Sequence, residues 1–219
     1  MKLQLKEIEG NKLKNKIYNE LLKNIITSNI SPGDQLQIKE VANNMNVSNT
    51  PVREALEALK NDGLLNKLPY KSYTVKKHTF QEAKDVYETS AAIESYTIKL
   101  AIERINEDEI DKLIALHDKG YDYLSSNNTK KYKDYDEKLH YQLVQASKNE
   151  YLINMYKNIK LELALFSYQV LGTIDRIKQS YKQHSEIIKL LKNNNKKEAS
   201  LSIEEHILSS WDEYKKYNE

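Results

Sequence analysis

Five glycines and three prolines in 219 residues leave this chain few turn-makers, which argues for long helices joined by short connections. The apolar pattern agrees. Leu13, Ile17, Leu21 and Ile25 recur every four residues with Lys and Asn between them, the stripe of an amphipathic helix that stops at "SPGD", Ser31 to Asp34. Leu36, Val41, Ala42 and Met45 give a short second helix, and Asn46 tolerates the left-handed conformation that a tight turn needs. A third helix follows at once. Ser48 is a good N-cap, Pro51 falls in the first turn where its missing N–H costs nothing, Val52, Leu56 and Leu59 form the buried side, and Gly63 ends it. "LLNKL" and Tyr73 to Val75 then flank Pro69 to Ser72, which reads as a two-stranded hairpin.

Hydrophobic content of 39% with 30% charged residues describes a soluble globular chain of one or two domains. No cysteine is present, which removes disulfides, thiolate catalysis and sulfur-bound zinc together. The start lacks the apolar core of a signal peptide, and no segment approaches the ~18 uncharged apolar residues of a membrane span, so a cytoplasmic location is expected. Charge is uneven: residues 1–78 hold 13 Lys and Arg against 8 Asp and Glu, leaving 21 against 24 for the rest. A basic first third on an acidic remainder suggests that only the N-terminal part meets a polyanion.

Three helices followed by a hairpin form a winged helix-turn-helix, in which the helix after the tight turn enters the major groove of DNA. The segment "LQIKEVANNMNVSNTPVREALEALKNDGLL" resembles the GntR family of bacterial transcription regulators over about 30 consecutive positions. That resemblance implies DNA-facing roles for Lys39 on the second helix, for Ser48, Asn49, Thr50 and Arg53 on the third, and for Lys71 and Ser72 at the wing. Arg53 is long enough for a bidentate contact to guanine. Many relatives carry a second Arg where this chain has Asn49 and a wing-tip Gly where it has Ser72.

From Phe80 the pattern is helix after helix: about 80–105, 106–127, 129–147, 150–171, 173–192 and 196–216, with Asn193-Asn194-Asn195 as a polar break. In the first of these, Val86, Ala92 or Ile93, Tyr96 and Leu100 lie at helical spacing. The expected fold is mainly α: a winged helix-turn-helix over residues 1–78 and an all-α six-helix bundle over 79–219.

Bundles build sites from polar residues that several helices point inward. Asp136 and His140 are four apart; His184 lies in the row Ile177, Tyr181, His184, Ile188, Leu191, and His206 in the row Ala199, Ile203, His206, Ser210. Each part also fits a plainer reading, a surface ion pair for the Asp and His and a hydrogen-bonded core residue for a single His. One carboxylate and three imidazoles together suit zinc, nickel, iron or, less readily, manganese, with zinc or nickel the expected divalent ion. "YDEKLHYQLVQASKNEYL" and "QHSEIIKLLKNNNKKEASLSIEEH" resemble the two metal-bearing segments of the FCD domain, the effector-binding half of the FadR branch of GntR regulators. The resemblance implies that Asp136, His140, His184 and His206 hold the ion, and that a small molecule, a carboxylate by expectation, binds there. His78 and His117 join no site. Where many FCD domains place an Arg that anchors a carboxylate, this chain has Ser90, assigned to the effector pocket.

The reading is therefore a homodimeric, repressor-type regulator of a near-palindromic operator in double-stranded DNA, not an enzyme and with no membrane partner. The rivals are an effector-independent DNA-binding protein and a metal-dependent hydrolase, the latter lacking a general base beside the ligands.

Overall fold

A computed structural model of the chain describes residues 11–70 and 72–218, the side chains of Asn11 and Tyr217 excepted. It divides into two compact units, Met1–His78 and Thr79–Glu219.

The first unit holds α1 (Asn11–Ile26), β1 (Gln35–Gln37), α2 (Ile38–Met45), α3 (Asn49–Asn61), β2 (Leu65–Leu68) and β3 (Ser72–Val75). Val52, Ala55, Leu56 and Leu59 turn one face of α3 wholly inward, each large apolar side chain contributing roughly 1.5–3 kcal/mol. Ile17, Leu21 and Ile25 of α1 and Val41 and Ala42 of α2 are buried with them, whereas Leu13 is 43% exposed at the start of its stripe. Asn46 takes the left-handed conformation between α2 and α3 (φ 53°), and Gly63 does so after α3 (φ 81°). Ser48 flanks α3 in an extended conformation without a side-chain capping bond. Leu36 differs from its expected place in the second helix. It lies in β1, which pairs antiparallel with β3 in register Leu36 to Tyr73, giving the sheet order β1-β3-β2. Three residues are too short a run for period-two alternation to declare a strand, and β1 depends on pairing with a partner far along the chain.

The second unit is α4 (Phe80–Arg104), α5 (Glu107–Ser125), α6 (Thr129–Ala146), α7 (Glu150–Val170), α8 (Ile174–Lys192) and α9 (Lys196–Asn218). Its helix starts are set by side chains that satisfy orphan N–H groups: Thr79 with Glu82 and Asn106 with Glu109 form reciprocal capping boxes, and Asn128, Asn149 and Thr173 accept single-residue caps. Asn194 (φ 57°) closes α8, with Asn195 N–H returning to the Leu190 carbonyl at 3.0 Å. Helix α4 packs against α6, α7 and α9, so its buried surface wraps much of its circumference. That corrects the expected stripe in part: Val86 and Ile93 are buried, but Tyr96 is 53% exposed and Leu100 only half-buried, while Glu94 and Thr97 are buried. A periodic rule for a one-sided helix misplaces the faces of one that is enclosed.

Gly120 on α5 has a specific use, because a Cβ there would lie 2.6 Å from the ring of Tyr135 on α6, itself fully buried. Gly120→Ala gains helix propensity of about 1 kcal/mol but overpacks a rigid ring at a cost of about 1–3 kcal/mol. The variant is expected to melt below wild type in thermal denaturation; a raised melting temperature would show that Tyr135 yields freely.

Candidate metal centre and exposed recognition helix

Three helices bring the cluster together. His140 on α6, His184 on α8 and His206 on α9 are all buried, and their Nε2 atoms meet: 3.2 Å between His140 and His206, 3.2 Å between His184 and His140, and 3.1 Å between His184 and His206. They form a group able to share one metal ion. Asp136, one turn before His140, stands beside this triad. Its Oδ1 is 3.8 Å from His184 Nε2 and accepts a hydrogen bond from Ser180 Oγ at 3.0 Å.

The far side of each ring is held. His140 Nδ1 is 2.6 Å from Glu94 Oε2 on α4, and Glu94 Oε1 accepts from Ser90 Oγ at 2.7 Å. His206 Nδ1 donates to Gln183 Oε1 at 2.9 Å. His184 Nδ1 lies 3.4 Å from Tyr135 Oη, which is 2.7 Å from His117 Nδ1; His117 Nε2 is 2.8 Å from Ser185 Oγ, and that hydroxyl donates to the Tyr181 carbonyl at 3.0 Å. One proton order satisfies the whole chain: His184 donates to Tyr135, Tyr135 to His117, His117 to Ser185. Each histidine of the triad thus carries a proton on Nδ1 and turns Nε2 to the centre, the arrangement that outer partners impose on metal-binding imidazoles.

Three lone pairs at this distance repel, so a cation belongs among them. Burial would pull His140 down, but the charge and hydrogen bond of Glu94, with Asp136, raise it to about 9. His184 is pushed well below the ordinary value by burial and by His206 and His140, and His206 by burial and then His140. Without metal, the triad therefore holds one proton beyond the three on Nδ1, and it resides on His140. A metal fits the same space: with metal–nitrogen bonds of about 2.0–2.1 Å, ligand nitrogens lie roughly 2.9 Å apart at a right angle and roughly 3.3 Å apart at the tetrahedral angle. The observed separations fall between.

Sequence reasoning placed three histidines and Asp136 here. It missed Glu94, Gln183 and Tyr135, and it assigned His117 to no site, whereas His117 is 8% exposed and bonded through Tyr135 to a ligand histidine. Ser90 is completely buried and committed to Glu94.

In the first unit, Lys39, Ser48, Asn49, Thr50 and Arg53 are all exposed. Arg53 makes no hydrogen bond or ion pair among the described residues, so its guanidinium is available to a partner. Glu57, one turn on, is occupied instead: it accepts from Lys67 and from Tyr73 Oη, the latter at 2.8 Å, and Lys67 and then Tyr73 hold its carboxyl below the usual range. Ser72 is half-buried, its hydroxyl donating to the Pro69 carbonyl at 3.1 Å, and Tyr70 beside it is fully exposed. Lys71 lies outside the described residues.

Removing the Glu94 charge tests the electrostatics. In metal-free Glu94→Gln, His140 is expected to lose its support and titrate at or below the ordinary value near 6.5, instead of about 9, in nitrogen-detected NMR. An unchanged titration would mean that Glu94 does not set the charge.

Comparison with known proteins bears on both units. Residues 13–75 match the family described as bacterial regulatory proteins, gntR family, and residues 85–209 match the FCD domain. The Nta operon transcriptional regulator of Aminobacter aminovorans is 28% identical over 192 residues, 86% of this chain and 88% of that one. The HTH-type transcriptional repressor RspR of Escherichia coli is 24% identical over 192 residues, 87% and 84% respectively. Among solved structures, E. coli McbR/YncC superposes with a TM-score of 0.81 at 18% identity, covering 94% of this chain and 99% of that one, which shows a common fold. These relatives are transcription regulators, not enzymes. No helix among the described residues is long and apolar enough to cross a membrane. The chain belongs to the gntR family of bacterial regulatory proteins, as a DNA-binding transcription regulator whose C-terminal part is an FCD effector-binding domain.

Proposed function

We propose that the protein is a cytoplasmic, homodimeric repressor whose bundle holds a divalent metal, zinc or nickel, through Asp136, His140, His184 and His206, and that a small carboxylate bound there alters operator affinity. The observation that carries this reading is the meeting of three Nε2 atoms within 3.2 Å, each ring held from behind. With four protein ligands, a metal accepting five or six keeps one or two positions open for a small molecule. Asp136 completes the set by a rotation of its side chain, exchanging Ser180 for the ion. Ser90 contributes by steadying Glu94 behind His140 rather than by touching the effector.

Two copies of the chain would present two copies of α3 to half-sites about one turn of B-DNA apart, roughly 34 Å, hence a near-palindromic operator. Ser48, Asn49 and Thr50 lie at the N-terminal end of α3, where short polar side chains and free N–H groups suit phosphates and base edges, with Lys39 and Ser72 as backbone contacts. Arg53 is the base-reading residue. The effector acts by binding more tightly to one arrangement of the two heads than to the other.

Two measurements test this. Arg53→Ala should weaken binding to an operator chosen by in vitro selection by about 1–3 kcal/mol, with little change on unrelated DNA; an equal loss on both would make Arg53 a phosphate contact. Elemental analysis should find near-stoichiometric metal in the wild type and none in His184→Ala; metal in neither, or in both, removes the proposed centre.

A further inference from the structure

Arg176, in the first turn of α8, is a buried charge for which the triad gives no reason. It is 5% exposed, yet its guanidinium meets only neutral oxygens: Nη2 donates to Ser210 Oγ at 2.7 Å and Ser209 Oγ at 3.4 Å, and Nη1 to Gln183 Oε1 at 3.4 Å. Its Nε–H is buried without a partner. A guanidinium does not shed its proton inside a protein, even where burial pulls its pKa down as it does here. A buried cation in neutral company is costly, and an oxyanion that accepts two parallel N–H bonds is the group that relieves it.

The position of Arg176 makes that vacancy in its bonding informative. Arg176, Ser180 and His184 follow one another at four-residue spacing on α8, opposite Tyr132, Asp136 and His140 on α6. The two rows are stitched by Tyr132 Oη to Ser180 Oγ at 3.2 Å and by Ser180 Oγ to Asp136 Oδ1 at 3.0 Å. On α9, Ser210 stands one turn beyond His206, and Gln183 Oε1 accepts from both His206 and Arg176. The guanidinium is thus two hydrogen bonds from a ligand histidine. After burial, Asp136, Glu213, Tyr87 and Tyr132 act on it electrostatically, in that order. Tyr87 Oη, from α4, is also buried, beside Ser167 and within electrostatic reach of Arg176.

We infer that Arg176 anchors an anionic effector: a small oxyanion, carboxylate or phosphate, pairs with its guanidinium while reaching toward the histidine centre. This rests on the reading of the bundle as a metal-holding effector domain. It also accounts for Ser90, where the resemblance leads one to expect an Arg on α4: the cation is supplied instead from α8, on another wall of the bundle.

The test uses full-length protein, wild type, Arg176→Met and Arg176→Lys, with elemental analysis and calorimetric titration of malonate, malonamide and inorganic phosphate. Metal content should be equal in all three proteins. Malonate or phosphate should bind Arg176→Met about ten- to hundredfold more weakly than wild type, Arg176→Lys should fall between, and uncharged malonamide should not distinguish them. Whichever anion shows the dependence names the class. Equal anion affinity in wild type and Arg176→Met overturns the inference, as does loss of metal in Arg176→Met, which would make Arg176 a support of the centre through Gln183. Absence of metal from the wild type would instead refute the metal reading, and the same anion titrations on the metal-free chain would still decide the role of Arg176. Should Arg176→Met fail to fold by circular dichroism, the Lys variant carries the comparison: unchanged malonate and phosphate affinity there overturns the inference.

Discussion

Imidazole nitrogens 3.1–3.2 Å apart attract only when a proton or a metal ion lies between them, and the bundle is organised around that requirement. Three rings from α6, α8 and α9 offer lone pairs to one point because a carboxylate, an amide and a phenol fix the opposite nitrogen of each. In the metal-free state His140 carries the neutralising proton, kept there by Glu94 against the pull of burial. A metal is a competitor for that proton, which links the affinity of the centre to pH.

The support reaches well beyond the ligands. Helix α4 delivers Glu94 and, behind it, Ser90; α8 delivers Gln183 as well as His184; α5 delivers His117 and, through Gly120, the space that the Tyr135 ring occupies. Five helices therefore meet their polar partners in one region, and a shift of one helix along another would disturb several hydrogen bonds together. That offers a physical basis for coupling an effector to helix placement, since packed interfaces of this kind prefer discrete arrangements.

Much of this was legible in the sequence. Helix limits in the bundle were, because caps such as Thr79 with Glu82 and Asn106 with Glu109 and the Asn193-Asn194-Asn195 break are local signals. The clustering of the histidines was, because His184 and His206 interrupt largely apolar rows. What escaped was non-local. Strand β1 exists only by pairing with β3, and the buried faces of α4 follow from three neighbouring helices rather than from its own periodicity. Glu94 and Arg176 read as ordinary solvated charges until the fold encloses them, and His117 becomes relevant only through Tyr135, eighteen positions away.

The most direct test is the number of protons released when zinc binds the metal-free protein, measured by titration calorimetry at pH 7.5 in buffers of differing ionisation enthalpy. A triad in which His140 alone carries a second proton, with a pKa of about 9, predicts release of close to one proton per zinc, and affinity that rises about tenfold per pH unit below that value. Stoichiometric binding with no proton release, or no zinc binding at all, would contradict the account.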